Sequence, residues 1–135
     1  MFLTEEALVP TQRYRFVAKL GDGGMSSVVR AYDKVLDRQV AIKRLSPELE
    51  SHPEAMRVVV QEARSLAKCK HTNLMSIYDI LQVENGIFLI MELIDGRNME
   101  DIVFHDREGI TFENVISWAA QIASAVEYLH SKGVI

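Results

Sequence analysis

Residues 20–29 read LGDGGMSSVV, with three glycines in four positions, followed later by VAIK, which sets Ala41 and Lys43 two apart, and by QEARSLA, which carries Glu62. Glycine is costly to order, so such a cluster marks a sharp turn or a place where something approaches the main chain closely. A dinucleotide-binding fingerprint needs a helix directly after the glycines, whereas SSVVRAYD is β-rich. A phosphate loop of the ATPase type needs Gly-Lys-Ser or Gly-Lys-Thr, which is absent. A hairpin lid whose backbone N–H groups face a nucleotide's phosphates remains, beside a plain hairpin turn with no ligand. In a strand, Ala41 and Lys43 share a face, so a flat ring can lie on the small residue while the ammonium reaches phosphate oxygens. The alternative for Lys43 is an exposed lysine on an edge strand. Glu62 sits about 40° beyond Leu66 on a helical wheel, beside the apolar stripe, and can point inward toward Lys43. A solvated helix glutamate is the alternative; a surface ion pair is worth only about 0 to 1 kcal/mol, so stability is a weak reason for holding such a pair.

The elements that must position these groups emerge from periodicity. From Tyr14, alternation predicts a strand with Tyr14, Phe16, Ala18 and Leu20 on one face, running into the glycines. SSVVRAYD and QVAIKRL read as the next two strands, across a polar loop at residues 34–38. A helix is expected near Ser51, where Ser51 and Glu54 have capping-box spacing and Pro53 fits the first turn. Met56, Val59, Val60, Ala63, Leu66 and Ala67 give it one apolar stripe. Residues 74–83 and 87–91 read as strands joined across Asn85 and Gly86, a strong hairpin signal. A short helix is expected at 98–104, and Thr111 caps a long one that stops at Gly133, with Val115, Trp118, Ala119, Ile122, Val126 and Leu129 on one face. Five strands with one inserted helix make an α+β pattern.

Composition narrows the function classes. With 135 residues, 48% hydrophobic content and a net charge of -4, the chain is of one domain's length and carries no electrostatic footprint for nucleic acid. One cysteine, Cys69, excludes an internal disulfide framework and fits a reducing compartment. The N-terminus lacks the pattern of a signal peptide and no apolar run approaches a bilayer span, so a cytoplasmic setting is expected, although a longer parent could be anchored to a membrane. His52, His71, His105 and His130 show no metal-ligand spacing, so no metal site is expected.

In order along the chain, GDGGMSSV, VAIK, QEARSLAKCKHTNL, FLIMELIDG and YLHSKGVI resemble the eukaryotic-type protein kinases, most closely the bacterial serine/threonine kinases. The resemblance covers nearly everything from about Tyr14 onward and departs at Ser26, where a third glycine is frequent, and at Thr72, where proline is common. It implies an ATP-binding lobe with a five-stranded antiparallel sheet and one helix at residues 14–94, after an arm at 1–13. The first helices of a helical lobe would come next, at 95–135. It further implies that Leu20, Val28 and Ala41 sandwich the adenine, and that the backbone of Gly21, Asp22, Gly23, Gly24, Met25, Ser26 and Ser27 covers the phosphates. Lys43 would hold the α and β phosphates, steadied by Glu62. Met91 would guard the back of the pocket, and the backbone of Glu92 and Ile94 would meet the adenine edge. The implied cofactors are ATP and Mg2+, the implied partner a protein substrate.

In that family YLHSKGVI is followed by a His-Arg-Asp loop and then Asp-Phe-Gly, neither of which occurs in these 135 residues. The proton acceptor and the magnesium ligands would lie there, and a missing general base alone costs ~10² to 10⁴ in rate. The 135 residues alone are therefore expected to transfer no phosphate, and a nucleotide- or partner-binding regulatory module is the competing expectation. Trp118, Ile122, Val126 and Leu129, if exposed, would each forfeit about 1.5 to 3 kcal/mol, which predicts self-association through the last helix.

Overall fold

The computed structural model describes residues 8–23, 26–84 and 86–134. Strands β1 (Tyr14–Gly23), β2 (Ser26–Asp33) and β3 (Arg38–Leu45) lead into helices α1 (Pro47–Glu50) and α2 (Pro53–Ala67). Strands β4 (Ile77–Val83) and β5 (Gly86–Met91) come next, then α3 (Met99–His105), a 3-10 turn at Arg107–Gly109 and α4 (Phe112–Ser131). The five strands form one antiparallel sheet in the order β1-β2-β3-β5-β4. The chain divides into two compact units. The first holds the described residues through Lys68 together with Ser76–Leu93; the second holds Cys69–Met75 and the described residues from Ile94 onward.

In the first unit both faces of the sheet are covered. On one face Tyr14, Val29, Ala31, Val40, Ile42, Phe88 and Ile90 pack together with Leu8. On the other, Ala41, Leu45, Ile87, Leu89 and Met91 pack against Ala63 of α2, flanked by Met56, Val59 and Val60. The stripe expected on α2 is the face it buries. Strand β5 is buried at all six positions, which is why GIFLIM reads as a continuous apolar run and not as an alternating one.

Two local expectations are corrected. Strand β1 does not keep Tyr14, Phe16, Ala18 and Leu20 on one face. Phe16 pairs with Ala31 but Ala18 pairs with Arg30, and a second register shift falls between Lys19 and Gly21. Each bulge inserts a residue and re-aims the side chains beyond it, so Ala18 faces the α2 side while Leu20 is 47% exposed. Ser51 does not cap α2, whose N-cap is His52 with no side-chain bond. Ser51 instead ends α1, donating from Oγ to the Glu48 carbonyl at 2.7 Å. The chain starts a helix earlier because Ser46 caps it, its Oγ accepting from Leu49 N–H at 3.2 Å, and Pro47 fits the first turn.

The turn between β2 and β3 hangs on Asp33, whose side chain is buried. Oδ1 accepts from Arg13 Nε at 2.8 Å and from the N–H groups of Val35 and Leu36 at 3.0 and 3.3 Å; Oδ2 accepts from Arg13 Nη2 at 2.6 Å. The bonds from Arg13 hold this carboxyl at about 2, below its ordinary 3.8, against the upward push of burial and with help from the two backbone donors. At the β4–β5 turn, Asn85 lies outside the described residues, and Gly86 has φ +139°, a conformation L side chains rarely adopt.

In the second unit α4 has the expected cap: Thr111 Oγ1 accepts from Asn114 N–H, and Asn114 Oδ1 accepts from Thr111 N–H. Gly133, at φ +71°, donates to the His130 carbonyl, and Val134 to that of Leu129. Helix α3 begins at Asn98, whose side chain accepts from Asp101 N–H at 2.7 Å. The segment Cys69–Met75 is tied to α4 by Lys70 N–H donating to Tyr128 Oη at 3.1 Å and Asn73 Nδ2 to the Gln121 carbonyl at 3.2 Å. Because His71 Nδ1 accepts from Asn73 N–H, its Nε2 carries the proton and donates to Ser124 Oγ at 3.1 Å. Ile122 and Val126 are exposed as expected, but Trp118 and Leu129 are half-buried. Among the described residues no helix is long and apolar enough to cross a membrane.

Candidate functional site

The glycine-rich stretch and VAIK converge on one face of the sheet in the first unit. Register places Gly21 beside Val28, Val28 beside Lys43, Lys43 beside Leu89 and Leu89 beside Ile80. The next row on the same face runs Ala18, Arg30, Ala41, Met91 and Ile77. Strands lie about 4.8 Å apart and same-face rows about 6.5 to 7 Å apart, so these side chains share one patch. Its chemistry is that of a cation beside bare backbone, with a small apolar floor one row away.

Gly21 is the informative member. A Cβ there would meet nothing within 4 Å, and Gly21 is not among the residues with positive φ. Neither packing nor backbone conformation requires glycine at 21, unlike Gly86, and the bare backbone there leaves room for a group to approach. Lys43 is half-buried, and no hydrogen bond or ion pair joins its side chain to another described residue. Ala41 and Met91 are buried, while Ser27 and Val28 are half-buried.

Other expected members stand apart. Glu62 is exposed on α2, and no ion pair joins it to Lys43 among the described residues. The helix docks through Ala63, Val59 and Val60, which turns the neighbouring position toward solvent. Glu92 is bound to Ser76 twice, its N–H donating to the Ser76 carbonyl at 2.9 Å and its Oε2 accepting from Ser76 N–H at 3.0 Å. That leaves its carbonyl as the group it could offer a ligand. Ile94 is exposed and belongs to the second unit. Gly24 and Met25 lie outside the described residues, as do the side chains of Asp22 and Ser26; the backbone of Asp22 and Gly23 continues β1 opposite Ser27 and Ser26. Arg30 is not among the expected site residues, although strict alternation from Val28 puts it on this face.

The donor set suits a nucleotide: an ammonium with no partner among the described residues, glycine backbone beside it, and the small Ala41 where a base could lie. For a metal it does not. Among the described residues no group of three or more His, Cys, Asp or Glu side chains could hold an ion.

Comparison with known proteins gives a single answer. The family model described as protein kinase domain matches residues 14–135. The serine/threonine-protein kinase PksC of Streptomyces coelicolor is 34% identical over 130 residues, covering 91% of this chain and 23% of its own. The serine/threonine-protein kinase PrkC of Bacillus subtilis is 30% identical over 128 residues, covering 91% and 19%. The chain thus spans about a fifth of the length of these curated relatives. A solved chain described as the apo form of PpkA-294 superposes with a TM-score of 0.80 at 21% identity, over 95% of this chain and 52% of that one, and shows the same fold. On its sequence and on its sheet and helix order, the chain belongs to the protein kinase domain family.

Proposed function

We propose that this chain is the ATP-binding portion of a serine/threonine protein kinase, which moves a phosphoryl group from ATP to a protein hydroxyl. The observation that carries the reading is the row Gly21, Val28, Lys43: a glycine that the fold does not need, next but one to an ammonium with no partner among the described residues. Lys43 would hold phosphate oxygens with the backbone at residues 21–27 over them, and Ala41, Val28 and Met91 would bound the base. ATP supplies the transferable phosphoryl group; this chain's residues bind and orient it. The family resemblance puts the magnesium ligands in the His-Arg-Asp and Asp-Phe-Gly segments, which the 135 residues do not contain. Because neither His-Arg-Asp nor Asp-Phe-Gly occurs in the 135 residues, the polypeptide alone is expected to bind nucleotide without transferring phosphate.

Glu62, exposed and unpaired among the described residues, favours a second reading, a regulatory module that binds nucleotide without using it. Either way, α4 carries Phe112, Val115, Ile116, Ile122 and Val126 in solvent, and the isolated polypeptide is expected to self-associate through them. Calorimetric titration of the 135-residue chain with ATP, against Lys43→Met, tests the proposal. Binding that weakens about 10-fold or more in the variant supports it, since a charge-assisted bond is worth about 1.5 to 3 kcal/mol; equal binding by both proteins, or none by either, overturns it.

A further inference from the structure

We infer that Arg30 is a second cationic contact for the same ligand, made to the nucleoside and not to the phosphates; this rests on the nucleotide reading above. Arg30 stands on β2 with Ala18 beside it on β1 and Ala41 on β3, so no long side chain covers it from a neighbouring strand. It is half-buried, its Nε is shut off from solvent without a hydrogen-bond partner, and no ion pair joins it to another described residue. Two other sheet arginines have an aromatic partner: Arg15 lies over the Tyr32 ring at 5.3 Å, and Arg38, whose Nε is likewise buried without a hydrogen bond, lies over that of Tyr78 at 3.9 Å. No described strand residue on Arg30's face is acidic. A buried donor without an acceptor is a net cost in the free protein, and native structures rarely carry one without a reason.

Position says what the missing acceptor belongs to. Lys43 and Gly21 share one row, where phosphate oxygens would lie. Arg30 shares the next row with Ala41 and Met91, about 6.5 to 7 Å away, where the base would lie. The acceptor is therefore a ring nitrogen of the base or a ribose oxygen.

A structural arginine and a ligand-reading one respond oppositely to removal. Arg30→Leu and, as an unbranched replacement, Arg30→Met are compared with the unaltered chain by thermal melting without ligand and by titration with ATP and with inorganic tripolyphosphate, which has no nucleoside. The expected result is a free protein that melts at the same temperature or a few degrees higher, ATP affinity lowered about 10-fold or more, and unchanged affinity for tripolyphosphate. Lys43→Met weakens both ligands. A lower melting temperature in both Arg30 variants, unaltered ATP affinity, or an equal loss for tripolyphosphate overturns the role of Arg30 and leaves the nucleotide site standing. Absence of ATP binding in the unaltered chain overturns both.

Discussion

Replacing Asp33 with asparagine tests how the sheet that carries the site is held together. The carboxylate is fully buried and accepts four hydrogen bonds, two from Arg13 and two from the turn that joins β2 to β3. Removing one partner of a buried ion pair costs about 3 to 5 kcal/mol. Here Arg13 keeps 35% of its side chain in solvent and can be rehydrated, and the asparagine oxygen still serves the turn. The expected loss is accordingly about 2 kcal/mol, or roughly 6 to 10 °C in melting temperature. Because the folded carboxyl titrates at about 2, below its ordinary 3.8, its contribution is complete above about pH 4 and lost as the pH falls from there toward 2. Thermal melts followed by circular dichroism at pH 7, 4 and 3 should show Asp33→Asn melting lower at pH 7, with the gap closing as acid is added. Equal melting temperatures at pH 7, or a gap that stays constant down to pH 3, would refute the reasoning.

Two further perturbations probe other parts of the chain. Gly86→Ala forces a side chain onto φ +139° and sets its Cβ 2.9 Å from Glu50 Oε1, so urea unfolding should show a loss of about 1 to 3 kcal/mol. Ile122→Asp together with Val126→Asp places charges in the exposed stripe of α4, and light scattering should show less self-association than in the unaltered chain at equal concentration; no change would assign the association to another surface.

Much of the fold is legible in the sequence because its signals are local. SSVVRAYD and QVAIKRL mark β2 and β3, Thr111 and Gly133 bracket α4, and the apolar spacing of α2 matches the face it buries. What is not legible depends on contacts distant in sequence. The bulges of β1 leave no compositional trace, since any residue can be the inserted one. Ser51 has the spacing of a cap, yet Ser46 with Pro47 starts a helix first and takes Ser51 as its end. The wheel puts Glu62 beside the apolar stripe, but the way α2 rests on the sheet, through Ala63 and Val59, decides where that edge points. The face of Arg30 is readable from alternation alone; an arginine in a strand is ordinarily taken as solvated, and what marks it out is a buried, unpartnered Nε on a guanidinium that, unlike that of Arg38, lies over no ring among the described residues.

The most direct test of the central claim is a methyl NMR titration of the 135-residue chain with ATP, since the two faces of the sheet carry separate reporters. Methyl groups of Val28, Ala41 and Met91 report the α2 face, while those of Val29, Val40 and Ile90 report the opposite one. ATP is predicted to shift the first set in a saturable way and to leave the second nearly unmoved. Shifts confined to the second set, or none in either, would contradict a nucleotide site built on Gly21, Ala41 and Lys43.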